Sequence, residues 1–204
     1  MIEIKHVENL EKKLVDDIVQ IHLDTFEGFF LTFMGRGFLK QMYSSYCIHE
    51  KSGLYIACED GKLIGFLAYS EDLSGLYKFM IKKKFFAFAY YSVGAFFRKP
   101  KIFIRLIRAF LKPSESKRDE AYVELASIGV DPSIKSKGVG SELIKTLKEN
   151  VDFSKFAYIT LETDAVNNDL ANHFYLKNGF ELHRTFETNE GRKMNEYRYV
   201  KKEI

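Results

Sequence analysis

With 204 residues, 46% apolar and 29% charged, the chain can bury one sizeable core, is short for two full domains, and is not disordered by composition. Two cysteines, Cys47 and Cys58, make no disulfide framework, and the first residues carry no signal-peptide pattern, so the expectation is a cytoplasmic protein with reduced thiols. No apolar run reaches the roughly 20 residues that span a bilayer, and the net charge of +3 is modest.

In chain order, Ile2 to Val7 alternates as a short strand. Asn9 is placed to cap a helix whose apolar face is Leu10, Leu14, Ile18 and Ile21. A second helix is predicted from about Gly37 to Ile48, with Phe38, Met42 and Tyr46 on one face. Leu54 to Cys58 and Leu63 to Tyr69 read as a hairpin closed by Asp60-Gly61. Residues 73–114 break the pattern. They hold ten of the 31 basic side chains and none of the 28 acidic ones, so the positive charge is localised. Within them Lys101, Arg105, Arg108 and Lys112 recur at helical spacing around Ile102, Phe103, Leu106, Ile107 and Phe110, a basic amphipathic helix, and Lys82-Lys83-Lys84 precedes a second aromatic stretch. Pro113 to Lys117 reads as a surface connection.

The last third is the most legible. Ala121 to Val130 is a strand ended by Asp131-Pro132. A glycine turn leads into a helix from about Gly140 to Asn150, with Leu143, Ile144 and Leu147 inward. Tyr158 to Thr163 is a strand, and Asn168 to Asn178 a helix with Leu170, Ala171, Phe174 and Tyr175 inward, stopped by Asn178-Gly179. Phe180 to Glu187 and Asn195 to Lys201 add two closing strands. The order predicts a single α/β domain with a mixed central sheet flanked by helices and a helical insertion at about 73–114.

The turn Lys135-Ser136-Lys137-Gly138-Val139-Gly140-Ser141 carries anion chemistry. Two near-adjacent glycines let the backbone turn tightly, and successive N–H groups at a helix start, with the helix dipole behind them, suit a pyrophosphate. The spacing is not that of a Walker loop, and Leu143 stands where a dinucleotide fingerprint needs its third glycine. A Gly-x-Gly by itself is equally a plain strand-to-helix turn.

Context decides more. The turn follows a strand and is followed by another, then by Asn168, Ala171, Tyr175, Gly179 and Phe180 in the pattern Asn-x-x-Ala-x-x-x-Tyr-x-x-x-Gly-Phe. Here the sequence resembles the GNAT superfamily of acetyltransferases over residues 121–185, and more weakly over 2–70. The family turn is Gln/Arg-x-x-Gly-x-Gly/Ala, and Lys135 stands where Gln or Arg is usual, keeping the charge but losing the planar fork. The resemblance implies acetyl-CoA as co-substrate, lying where the fourth and fifth strands splay. It would pair with the backbone of Ile128 and Val130, meet residues 135–141 through its pyrophosphate, and reach Asn168 and Ala171.

Amine acylation needs a neutral nucleophile, a polarised thioester carbonyl and a proton for the leaving thiolate. A backbone N–H near Ile128 suits the carbonyl. Tyr175 matches the position where the family often places its general acid, although an aromatic on that face also reads as core. Glu124 alternates in phase with Ala126, Ile128 and Val130 and can act as a base through water; a salt-bridged strand carboxylate is the alternative. Glu162 and Asp164 are further acidic candidates, and His173 reads as a surface residue. No His, Cys or acid pattern has metal-ligand spacing, so no metal is expected.

Segment 73–114 admits three readings: extra helices covering the acceptor side, a pocket for an anionic or sugar-nucleotide amine, or a membrane-surface contact. No nucleic-acid-binding module is recognisable. The expected partner is a small-molecule amine acceptor. The alternative is a CoA-binding or membrane-peripheral regulatory module without turnover, and a homodimer fits the family resemblance.

Overall fold

The computed structural model describes residues 2–9, 11–26, 30–98, 100, 120–134, 138–188 and 191–202. The elements are β1 (Ile2–His6), α1 (Lys12–Thr25), α2 (Phe30–Met34), α3 (Arg36–Ile48), β2 (Ser52–Glu59), β3 (Lys62–Ser70), α4 (Leu73–Arg98), β4 (Tyr122–Val130), α5 (Val139–Asn150), β5 (Tyr158–Asp164), α6 (Asp169–Lys177), β6 (Glu181–Glu187) and β7 (Lys193–Tyr199). The seven strands form one sheet in the order β1-β2-β3-β4-β5-β7-β6, antiparallel throughout except for the parallel pair β4–β5. This is the mixed α/β sheet flanked by helices that the sequence predicts. The last strand lies between β5 and β6, an order that chain position alone does not reveal.

Local chemistry explains most boundaries. Asp60 and Gly61 both adopt positive φ, 51° and 76°, the backbone a two-residue hairpin turn between right-twisted strands requires. The α1 helix begins later than predicted: Glu11, not Asn9, occupies its N-cap and no side chain caps it. The short helix α2 has no periodic signal and was not predicted. Gly179 (φ 75°) ends α6, with its N–H donating to the Leu176 carbonyl and that of Phe180 to the Tyr175 carbonyl.

Two apolar layers sandwich the sheet. Ile18, Val19, Leu39, Tyr43, Phe66, Leu76 and Met80 pack on one face, beneath α1, α3 and α4. Leu67, Val123, Leu125, Leu143, Ile144, Leu147, Ile159 and Phe180 pack on the other, beneath α5. Insertion 73–114 is helical from its start, as α4, with a break at Lys84 (φ −126°, ψ 18°), whose ammonium donates to the Gln41 carbonyl on α3. The predicted second basic helix, with Lys101, Arg105, Arg108 and Lys112, and the connection 113–117 lie outside the described residues.

Candidate active site

The sheet opens at its centre. β4 and β5 pair only at Tyr122–Tyr158, Val123–Ile159 and Glu124–Thr160, and the ladder stops there. Along its other edge β4 stays bonded to β3 as far as Val130. Because the Asp131 N–H donates to the Ile64 carbonyl, alternation of an antiparallel ladder turns the backbone groups of Val130 and Ile128 away from β3, toward the side that β5 has left. That is the sheet edge on which the sequence reading set an extended ligand. The Val130 carbonyl already accepts a hydrogen bond from Thr25 Oγ1 at 3.0 Å, which leaves its N–H as the group turned to the gap.

A bulge reshapes β4. Ala68 faces Ser127 and Tyr69 faces Leu125, so Ala126 is an extra residue. The bulge corrects the phase expected for Glu124. Val123 and Leu125 share a core layer with Ile128 and Val130. Ser127 bonds Tyr43, and Gly129 lies against Phe66 and Ile21, in the layer on the opposite face. Glu124, one residue from both Val123 and Leu125, therefore belongs with Ser127 and Gly129, not with Ile128 and Val130. Periodicity cannot register an inserted residue.

Beside the gap stands the start of α5. Gly138 is its N-cap in the left-handed region (φ 71°), a conformation that favours glycine, and no side chain caps the helix. The first intrahelical bond is Glu142 N–H to the Gly138 carbonyl, so helix geometry leaves the N–H groups of Val139, Gly140 and Ser141 without intrahelical partners. Val139 is buried in the core and offers a ligand only its backbone. A Cβ on Gly140 would lie 2.9 Å from the Phe174 ring, so a side chain here would have to push that α6 ring aside. Lys135, Ser136 and Lys137 lie outside the described residues.

The α6 helix closes the other wall. Asn168, its N-cap residue, donates from Nδ2 to Thr163 Oγ1 at 2.8 Å and so ties the helix start to the end of β5. Ala171 and Tyr175 are half-buried, but Leu170, expected inward, is 91% exposed. In its place Asn172 points inward as a polar hub. Its Nδ2 donates to the Asp164 and Asn168 carbonyls, and its Oδ1 accepts from Asn195 Nδ2 and the Tyr197 hydroxyl. All four bonds are within 2.8–2.9 Å, so one amide locks α6 to β5 and β7. An Asn within an apolar helix pattern gives no sequence signal of this. His173 is exposed, as expected.

These walls meet in a pocket of about 390 Å³ lined by Glu124, Ile128 and Tyr175 together, with Glu162, Asp164 and Arg192 around them. The three residues that sequence reading set apart for chemistry thus share one cavity. Burial, against the rings of Phe174, Phe180 and Tyr197, pushes the Tyr175 phenol up to about 12. The Tyr77 phenol is held up by burial and then by the charges of Glu124 and Glu162. Arg192 grips Asp164 through two nitrogens at 2.7–3.1 Å. A wider depression of about 860 Å³, lined by Glu120, Tyr158, His183 and Lys202, holds none of the predicted site residues. Among the described residues, no group of three or more His, Cys, Asp or Glu could hold a metal ion.

Sequence reading missed His22. It lies four residues after Ile18 and seven after Val15, so the helix period already places it on the buried face of α1. It lines the pocket, and its Nδ1 is 2.6 Å from the Tyr43 hydroxyl, which is 3.2 Å from Ser127 Oγ on β4. Burial lowers the imidazole from 6.5 to about 4, so it is neutral near pH 7. The unfolded chain takes up this proton at a pH where the folded chain refuses it. The contribution to stability is therefore complete above about pH 6.5 and is lost as pH falls toward 4, by roughly 3 kcal/mol in all. Urea unfolding of wild type and His22→Leu, compared at pH 7 and pH 4.5, should show the variant losing less stability on acidification.

Comparison with known proteins agrees with this geometry. No curated protein matches the chain by sequence. Among solved structures, a GNAT-family protein from Desulfovibrio desulfuricans superposes with a TM-score of 0.63 at 13% identity, covering 98% of this chain and 99% of that one. An N-acetyltransferase from Staphylococcus aureus gives 0.61 at 15% identity, covering 98% of each. Arabidopsis thaliana NAA60, solved with acetyl-CoA, gives 0.58 at 15% identity, again covering 98% of each. At such identities the likeness is one of fold. The family assignment rests on a sequence model, that of the acetyltransferase (GNAT) family, which matches residues 15–180, from α1 through the opened strands to the end of α6. The chain belongs to the GNAT acetyltransferase family.

Proposed function

We propose that the protein transfers the acetyl group of acetyl-CoA to a primary amine held in the 390 Å³ pocket, by direct attack in a ternary complex. The observation that carries this reading is the opening of the sheet after Glu124–Thr160, which leaves the backbone of Ile128 and Val130 beside a cavity containing a protonated Tyr175 and a carboxylate, Glu124.

The chemistry follows from those groups. The pantetheine arm pairs with the free edge of β4, and the pyrophosphate lies on the N–H groups of Val139, Gly140 and Ser141 at the start of α5. The Ile128 N–H polarises the thioester carbonyl. The amine nitrogen attacks the carbonyl carbon and the carbon–sulfur bond breaks. The departing thiolate takes the Tyr175 phenolic proton, and the proton shed by the amine passes to the Glu124 carboxylate. Proton exchange with solvent then restores both side chains. A phenol raised by burial is fully protonated at neutral pH, as an acid must be before it donates.

The acceptor is a primary amine of a small molecule. Among the described residues, Arg192 is the one Lys or Arg that lines the pocket, and it is engaged by Asp164. This lining favours an amine without net negative charge over an anionic or sugar-nucleotide acceptor.

Acetyl-CoA should raise the melting temperature and bind by calorimetry, and free CoA thiol should be released when a panel of primary amines is added. An absence of acetyl-CoA binding by both measurements defeats the proposal. Binding without thiol release for any amine favours the alternative of a CoA-binding module without turnover.

A further inference from the structure

After its break at Lys84, α4 turns a row of large apolar side chains outward. Phe86 is 86% exposed, Tyr90 74%, Val93 49% and Phe97 76%. Their spacing of four, three and four residues sets them on one side of the helix as a single stripe. The helix is already anchored elsewhere: Phe88 packs edge-on against Phe38 at 4.8 Å, Ser92 is buried, and Leu76 and Met80 are in the core. Among the described residues, the stripe is therefore left uncovered by the fold. A monomer scatters exposed apolar residues singly, and an aligned row of three aromatics and a valine marks a surface that meets something.

Charge identifies the partner. Lys82 and Lys83 are exposed at the head of the stripe, and residues 73–114 hold ten basic side chains and no acidic one. Exposed aromatics beside lysines, with no carboxylate to repel anionic headgroups, are the chemistry of a helix lying in a membrane interface. No helix among the described residues is long and apolar enough to cross a membrane, so the contact is one of lying on the surface. We propose that the outer face of α4, Phe86, Tyr90, Val93 and Phe97 with Lys82 and Lys83, docks the protein on an anionic lipid bilayer. The stripe lies outside the catalytic pocket, so this inference stands apart from the acetyl-transfer reading.

Vesicle flotation tests it. The full chain is mixed with phosphatidylcholine vesicles, with or without about one third phosphatidylserine, beside two variants: Phe86→Ser/Tyr90→Ser/Phe97→Ser and Lys82→Glu/Lys83→Glu. Wild type should float with the anionic vesicles and not with the neutral ones, and each variant should reduce the bound fraction at least about tenfold. Melting temperature and acetyl-CoA affinity, measured on the same samples, should stay at wild-type values, which separates loss of the surface from loss of the fold. Wild-type protein that ignores anionic vesicles overturns the proposal. So does equal flotation of the serine variant. A concentration-dependent dimer that the serine substitutions abolish, without lipid binding, would assign the stripe to a second copy and overturn it as well.

Discussion

Tyr175→Phe is expected to lower kcat by roughly 100-fold, the lower end of what a positioned proton donor contributes, while the affinity for acetyl-CoA stays near that of wild type. The substitution deletes one oxygen and keeps the ring that packs against Phe174, Phe180 and Tyr197, so the pocket wall survives. Among the described residues the phenol has no hydrogen-bond partner, so its removal strands no other polar group. The pH profile gives a second readout. Because burial holds the wild-type phenol at about 12, no loss of rate from its ionisation is expected between pH 7 and 9, and the deficit of the variant should be constant across that range. Steady-state kinetics with acetyl-CoA titrated by calorimetry measure both parts. An unchanged kcat at every pH removes Tyr175 as the acid.

The largest effect on stability is expected at Glu196 on β7. Its carboxylate is fully buried between two guanidinium groups, with Arg184 Nε at 2.7 Å from one oxygen and Arg198 Nε at 2.9 Å from the other. Removing one partner of a buried ionic cluster leaves the others uncompensated. Arg184 is partly open to solvent and can return to water, whereas Arg198 is more enclosed and lies over the Tyr158 ring at 4.2 Å. We expect Glu196→Leu to cost roughly 3 kcal/mol, at the lower end for breaking a buried ion pair because of that partial exposure. For a chain of this size the melting temperature should fall by roughly 6–12 °C. Glu196 does not line the 390 Å³ pocket, so turnover per folded molecule should be preserved. A loss below about 1 kcal/mol in urea or thermal unfolding would show that the cluster merely balances its own desolvation.

The features legible in the sequence are those whose causes are local. The helix after Gly138, the stop at Gly179 and the Asp60-Gly61 turn depend on backbone freedom at one or two residues, which the residue type announces. The nearness of Ile128 and Tyr175 was legible only through the array Asn168, Ala171, Tyr175, Gly179 and Phe180, because proximity across strands has no period, whereas Glu124 was chosen on strand phase alone. Where neighbours in space decide, residue patterns fail. The bulge at Ala126 reverses the face assigned to Glu124, and Leu170 gives way to the polar hub Asn172 because that amide finds four partners, three of them on β5 and β7. The relay His22–Tyr43–Ser127 joins α1, α3 and β4 over 105 residues of chain and exists only once all three are packed.

The opened centre of the sheet has a mechanical consequence. β1 to β4 form one half-sheet and β5, β7 and β6 the other, and the ladder that joins them is three residue pairs long. Every other neighbouring pair of strands is held over five pairs or more. The amides of Ile128 and Val130, which face this seam, are therefore expected to exchange their hydrogens faster than those locked between β2 and β3. A ligand that pairs with that edge is expected to slow exchange at these two amides, which hydrogen-exchange measurements with and without acetyl-CoA would read.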